Sequence, residues 1–190
     1  APSARLYAVK VLDADGNGNL SDVVDGIVWA ANNRMDVANM SLGAPVESEA
    51  MARAVSFARG SGVVIVAAAG NSGGALGIPG SYEDVIAVAA SDSTDKLASF
   101  SSRGPEVDFI APGVDVLSSR LGGGLASYSG TSMASPHVAG LAAIAVALGY
   151  VGLNGPDGVM VQLKKAATAL PALSKEMQGA GLIDAGKLVR

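Results

Sequence analysis

Apolar and polar positions alternate along the chain in blocks that predict a regular series of elements. Residues 6–12, Leu-Tyr-Ala-Val-Lys-Val-Leu, are rich in β-formers and predict a strand. Polar turn chemistry follows over residues 13–19. Ser21 is placed to cap a helix in which Val23, Val24, Ile27, Val28 and Ala31 fall on one apolar stripe. Residues 37–40 read as a short buried strand, and a second helix over 47–59 follows Pro45 and ends at Gly60. Residues 63–68 and 85–89 are apolar without interruption, the pattern of strands covered on both faces. A Gly-rich loop over 70–80 separates them. Further on come a short strand within 106–112 and a hairpin over 116–128 about Gly122–Gly124. A long helix starts near Thr131 and runs to about Leu148, and a shorter one covers residues 159–167 before an extended tail.

The order strand–helix–strand–helix–strand predicts right-handed βαβ units on a mostly parallel sheet, an α/β fold. Composition agrees. Aromatic residues are 4% of the 190, so the core must be filled with Ala, Val, Leu and Ile in closely packed layers. Hydrophobic residues are 49% and charged ones 16%, which excludes general disorder. Lys and Arg number 13 against 17 Asp and Glu, with no basic run, so nucleic acid and anionic membrane surfaces are poor partners. The absence of Cys excludes a disulfide scaffold, a zinc–thiolate site and a Cys nucleophile.

Three segments could carry chemistry. In Gly130-Thr-Ser-Met-Ala-Ser-Pro-His-Val-Ala-Gly140, a Ser follows a Gly-Thr turn and opens a helix apolar on nearly every side. Either Thr131 or Ser132 is only a helix cap, or the Ser132 hydroxyl is a nucleophile set where unpaired N–H groups favour negative charge. At residues 66–74 a buried strand ends in Gly70-Asn71, so the Asn amide projects at the carboxyl edge of the sheet. It is either a turn residue or a donor to an anion. Asn39-Met-Ser41-Leu-Gly43 again stands just past a buried strand, and Gly43 leaves backbone open to an extended peptide.

Together these segments resemble the subtilisin-like serine peptidase family. The stretch from Gly130 to Gly140 is similar to that family's nucleophile signature almost letter for letter, and Ala68-Ala-Gly-Asn71 to its oxyanion segment. Ser41-Leu-Gly43, residues 7–12, 85–88, 100–102 and 110–113 match in order, so the resemblance covers the whole chain. It implies a three-layer α/β/α fold with Ser132 as nucleophile. Asn71 and the Ser132 N–H would then be the oxyanion donors. Gly16 and Gly18 would pair with the substrate backbone opposite Ser41, Leu42 and Gly43. Ala68, Ala69 and Gly70, with the loop through Gly77 and Pro79, would shape the first specificity pocket. Leu20, Val23, Leu42 and Met51 would line a further apolar pocket. With Ser at position 72 on the rim and no carboxylate facing the pocket, a bulky neutral side chain is the expected occupant.

The family's order along the chain is Asp, His, Ser. No Asp-Ser-Gly or Asp-Thr-Gly follows a strand in these residues, and His137 is the one histidine. Five residues separate it from Ser132, about 140° around a helix, so it is expected as a core residue and not as the base. The chain is therefore expected to be a single partial catalytic domain, incomplete at its N-terminus, with the nucleophile but without base or orienting acid. A truncated or nicked chain, or the larger piece of a two-part enzyme, would explain this. On its own it is expected to be inactive. Its expected partners are a polypeptide substrate, the absent N-terminal segment of the same domain, and a pro-region or inhibitor; secretion is the family's commoner setting.

Two further readings concern metals. Residues 13–24 fit the first half of an EF-hand loop, but Val24 stands where a bidentate Glu is required. Glu106 and Asp108, one residue apart, are the better candidates. In the family a weak cation site lies there, completed by carbonyls matching Gly80, Tyr82 and Val85, so a structural calcium is expected and no cofactor is needed for chemistry. The competing functions are a non-catalytic peptide-binding module or pseudoenzyme on the same fold, and a calcium-binding module built on the Asp13 loop.

Overall fold

In the computed structural model, which describes residues 1–189, the chain begins α1 (Leu20–Asn32), β1 (Val37–Met40), α2 (Glu49–Gly60), β2 (Val64–Ala68), β3 (Val85–Ser91) and β4 (Val107–Pro112). It continues β5 (Val116–Ser119), β6 (Leu125–Tyr128), α3 (Thr131–Ala147) and α4 (Val159–Ala166). The last elements are β7 (Ala167–Thr168), α5 (Lys175–Gln178), β8 (Leu182–Ile183) and α6 (Ala185–Leu188). The main sheet has the order β1-β2-β3-β4-β8-β7, parallel except for β7, while β5 and β6 form a separate antiparallel hairpin.

β2 and β3 are buried at every position because both faces are covered. The period-2 pleat divides their side chains. Val64, Val66, Ile86, Val88 and Ala90 pack with Ala134, Val138, Ala142 and Ala145 of α3. Ile65, Ala67 and Val85 turn the other way, onto Val23 and Ile27 of α1 and Met51, Ala54, Val55 and Ala58 of α2. The result is the three-layer α/β/α arrangement that the resemblance implies, on the mostly parallel sheet the element order predicts. Small residues on α3 let the helix lie close to the sheet, and this brings its N-terminus to the carboxyl ends of β1 and β2.

Several local expectations are corrected. Residues 6–12 form no strand: residues 5–12 make no backbone hydrogen bond among the described residues, and Leu6 is 94% exposed. The segment is extended, with Tyr7 against Trp29 at a ring-centroid distance of 6.3 Å and Val9 and Val11 over Gly26 of α1. β propensity is satisfied only when a neighbour completes the ladder, and none does here. α1 starts two residues earlier than the Ser21 cap implies, with Asn19 at the N-cap. α2 is capped by Ser48, which accepts from the Met51 N–H, and continues through Gly60. Gly62, at φ +91°, makes the turn. The tail is not merely extended, since β8 pairs with β4 and extends the sheet.

Candidate active site

The site is assembled where β1, β2 and α3 meet. Beyond β2 the ladder continues one residue, Ala69 N–H donating to Val88 O, and then turns at Gly70, whose φ is +112°. A Cβ at Gly70 would lie 3.0 Å from Ser102 Oγ, so this turn requires glycine on both counts. Gly70 N–H donates to Thr131 Oγ1 at 3.1 Å. Asn71 follows, and its Oδ1 accepts twice from Thr131, from the backbone N–H at 2.8 Å and from Oγ1 at 2.9 Å. Thr131 is fully buried, so no water competes for these bonds.

This anchoring gives the Asn71 amide a defined orientation. With Oδ1 held by Thr131, Nδ2 points the other way and has no acceptor among the described residues; the same is true of Ser132 N–H. The two donors converge. The position a Gly130 Cβ would occupy lies 3.4 Å from Asn71 Nδ2 and 3.7 Å from Ser132 N. Met133 Sδ stands 3.6 Å from the same position, and glycine at 130 adds no Cβ to fill it. The N-cap residue, Gly130, has no side chain to bond the first turn of α3, and no acidic residue stands there to offset the helix dipole.

Ser132 is half-buried beside this space, and its Oγ donates to Ser41 O at 3.2 Å. Ser41 Oγ returns a bond to Ser132 O at 2.8 Å. A cleft of about 420 Å³ opens next to Ser132. Leu42, Gly43, Ala68, Ala69, Gly70 and Asn71 line it, together with Ser72 and Ser102, and no charged side chain is among its lining residues. Its walls are held together by a two-way bridge between Ala44 and Ile78, each N–H donating to the other's carbonyl at 2.9 Å.

The predicted site residues thus divide. Ser132, Asn71, Ser41, Leu42, Gly43, Ala68, Ala69 and Gly70 come together. Gly16, Gly18 and Leu20 do not line this cleft; Gly18 belongs to a separate depression beside Leu12, Asp13 and Asp22. Val23 and Met51 are not pocket walls but core residues between α1 and α2. His137 is half-buried where a buried residue was expected, and its Nδ1 is paired with Met133 O at 2.9 Å, one helical turn back. It therefore faces away from the Ser132 hydroxyl. Thr131, which the sequence presents only as an alternative cap, is the residue that orients Asn71. Its contacts span about sixty positions of chain and leave no local signal.

Glu106 and Asp108 do not share a strand face. Glu106 precedes β4 and is exposed, with its carboxylate over Gly104. Asp108 is the extra residue of a β-bulge, since Ala87 pairs with Val107 and Val88 with Phe109. Its carboxylate accepts the Ala87 N–H at 3.0 Å and so replaces the carbonyl the bulge displaces. Burial raises its pKa to about 6, against the opposing effects of the Ala87 N–H and Lys164. No third carboxylate or imidazole joins the pair among the described residues.

The model of the subtilase family matches residues 1–181. The chain belongs to the subtilase family. It is similar to subtilisin Savinase of Lederbergia lenta, 46% identical over 195 aligned positions that cover all of this chain and 70% of that protein. It is 46% identical to an alkaline protease of Shouchella clausii, covering 49% of its length. It is 52% identical to subtilisin E of Bacillus subtilis (strain 168) over 149 positions, which cover 76% of this chain and 39% of that protein. The subtilase chain thus spans about half the length or less of some curated relatives it matches. Among the described residues, no helix is long and apolar enough to cross a membrane.

Proposed function

We propose that this subtilase chain supplies the nucleophile, the oxyanion donors and the first specificity pocket of a serine endopeptidase. One observation carries the reading: two unpaired donors, Asn71 Nδ2 and Ser132 N–H, converge on a space kept open by Gly130, beside the Ser132 hydroxyl. In this reading Ser132 Oγ attacks a peptide carbonyl carbon as its proton passes to a general base. The carbonyl oxygen, now anionic, is received by the two donors. The tetrahedral species collapses to an acyl-enzyme on Ser132 and expels the amine, which takes the proton back. Water then releases the acyl group by the same steps in reverse. The donors act on charge that exists only after attack, so they accelerate the reaction instead of merely binding substrate.

The base is not within this chain. His137 is tied to Met133 O and is the sole histidine, so the aspartate and histidine come from a segment outside these residues. The sheet leaves room for it. β1 has a strand neighbour on one side only, and the unpaired segment 5–12 lies on α1, the helix that also packs beneath β1. A strand entering between them would satisfy both backbone edges. The uncharged cleft suits a bulky neutral side chain of a polypeptide held along Ser41–Gly43. Action outside the cell, with a pro-region or inhibitor as regulator, belongs to the same proposal.

The test compares two preparations under a fluorophosphonate probe and a peptide substrate. The 190-residue chain alone should be neither labelled nor active above background. The protein carrying its Asp- and His-bearing segment should be labelled at Ser132, and Ser132→Ala should abolish both signals. Robust activity of the chain alone would require an unrecognised base. A complete protein that binds peptides but resists the probe would instead be a binding module.

A further inference from the structure

Pro136 lies within α3, and its ring nitrogen has no hydrogen. In an α-helix the N–H of residue 136 would bond to the carbonyl of residue 132, and the proline ring also pushes that carbonyl outward. The helix therefore leaves the carbonyl of Ser132 without its regular partner. Ser41 Oγ occupies the vacant position, donating to Ser132 O at 2.8 Å. That hydroxyl is itself oriented: Asn39 Nδ2 donates to Ser41 Oγ at 3.0 Å, so the Ser41 proton is directed onto Ser132. On the other side of the same amide, Asn39 Oδ1 accepts from Ser135 Oγ at 2.5 Å, and Ser135 is fully buried in α3. The chain of bonds runs Ser135, Asn39, Ser41, Ser132, leaving α3 and returning to it through the end of β1.

We propose that this clamp replaces the helical bond removed by Pro136, and that Asn39 and Ser41 are positioning residues for the nucleophile. The inference rests on Ser132 being the nucleophile. Its content is separate: the proline frees the backbone of the reacting residue from the helix, and β1 then sets the height of Ser132 relative to the Asn71 amide. A carbonyl held by the helix ladder would follow the helix. One held by β1 follows the sheet, which also carries Asn71 at the end of β2. Nucleophile and oxyanion donor are thereby referred to one rigid element. Small errors in such placement are costly, since a displacement of about 1 Å lowers turnover by roughly a hundredfold.

The test uses the complete protein and a double-mutant cycle between Ser41→Ala and Pro136→Ala. Ser41→Ala and Asn39→Asp, which keeps the acceptor for Ser135 but loses the donor to Ser41, should each lower kcat by roughly ten- to a hundredfold. KM should stay within about twofold, because the substrate-facing surface is retained. Pro136→Ala restores an N–H to the helix and should recover at least half of the logarithmic loss in Ser41→Ala. A merely structural or substrate-binding Ser41 would not be rescued by returning an N–H to residue 136. As a readout independent of catalysis, the carbonyl ¹³C resonance of Ser132 should shift in Ser41→Ala and return in the double variant. No rescue and an unmoved resonance would overturn the clamp. Full activity in Ser132→Ala would instead overturn the nucleophile assignment, and the carbonyl cycle would still test the clamp alone.

Discussion

Replacing Thr131 by Val tests whether the oxyanion donor is held in place by one buried hydroxyl. Val keeps the shape of Thr and its Cγ2 methyl group, and sets a second methyl where the hydroxyl stood. Two bonds are lost, that from Gly70 N–H at 3.1 Å and that to Asn71 Oδ1 at 2.9 Å. Position 131 has no solvent exposure, so water cannot replace the hydroxyl for Gly70. An orphaned buried N–H costs about 1–3 kcal/mol, and the weakened anchoring of Asn71 adds about 1 kcal/mol or less, because Thr131 N–H still holds Oδ1. The expected loss of stability is therefore about 2–3 kcal/mol, read as a lower midpoint in urea unfolding at an unchanged slope. Turnover should fall about tenfold as the Asn71 amide loosens, with little change in KM. Thr131→Ser is the control: it keeps both bonds, loses one buried methyl, and should cost about 0.5–1.5 kcal/mol with turnover intact. A Val variant as stable and as fast as the parent would refute the assignment.

Three other outcomes follow from the same geometry. In the complete protein, Asn71→Leu should raise the barrier by about 2.7–4 kcal/mol with KM nearly unchanged, and a loss confined to KM would place Asn71 in the binding cleft only. His137→Ala should leave the shape of the pH–rate profile unaltered, since its ring is engaged with Met133 O; loss of a kinetic ionisation near neutrality would make it catalytic. Asp108 has a pKa raised from 3.8 to about 6, so the folded state holds its proton more tightly than the unfolded state. The stability this contributes is complete below about pH 4 and is lost as pH rises through 6, a difference of about 3 kcal/mol. Asp108→Asn keeps an acceptor for Ala87 N–H. It should flatten the unfolding free energy between pH 4 and 7 and be the more stable form at pH 8; an unchanged pH slope would sink this account.

Much of the architecture was legible because periodicity encodes which faces are buried. The continuous apolar runs at 63–68 and 85–89 announce strands covered on both sides, and the helix between Thr131 and Ala147 follows from an apolar, Ala-rich run. The segment that opens α3 was legible for another reason: Gly130, Thr131 and Ser132 are adjacent, so their order survives in the sequence without any knowledge of contacts. Residues 6–12 were misread because a strand is defined by its neighbours. Their composition is that of a strand, but their backbone has no ladder to join. Glu106 and Asp108 were misread because alternation assumes an unbroken pleat, and the bulge at Asp108 breaks it.

What the sequence determined by itself was the order of elements, the division of the core between two faces of one sheet, and membership of the subtilase family. What only the tertiary structure decided was which polar groups are engaged and which are free. Asn71 is a donor because Thr131 holds its oxygen, Ser41 is a clamp because Pro136 leaves a carbonyl vacant, and His137 is out of play because Met133 O holds its ring. Side-chain burial is periodic and local, so it can be read along the chain. The bonds of Asn71 to Thr131 and of Ser41 to Ser132 join residues about sixty and ninety positions apart, and they exist only once the sheet has brought their backbones together.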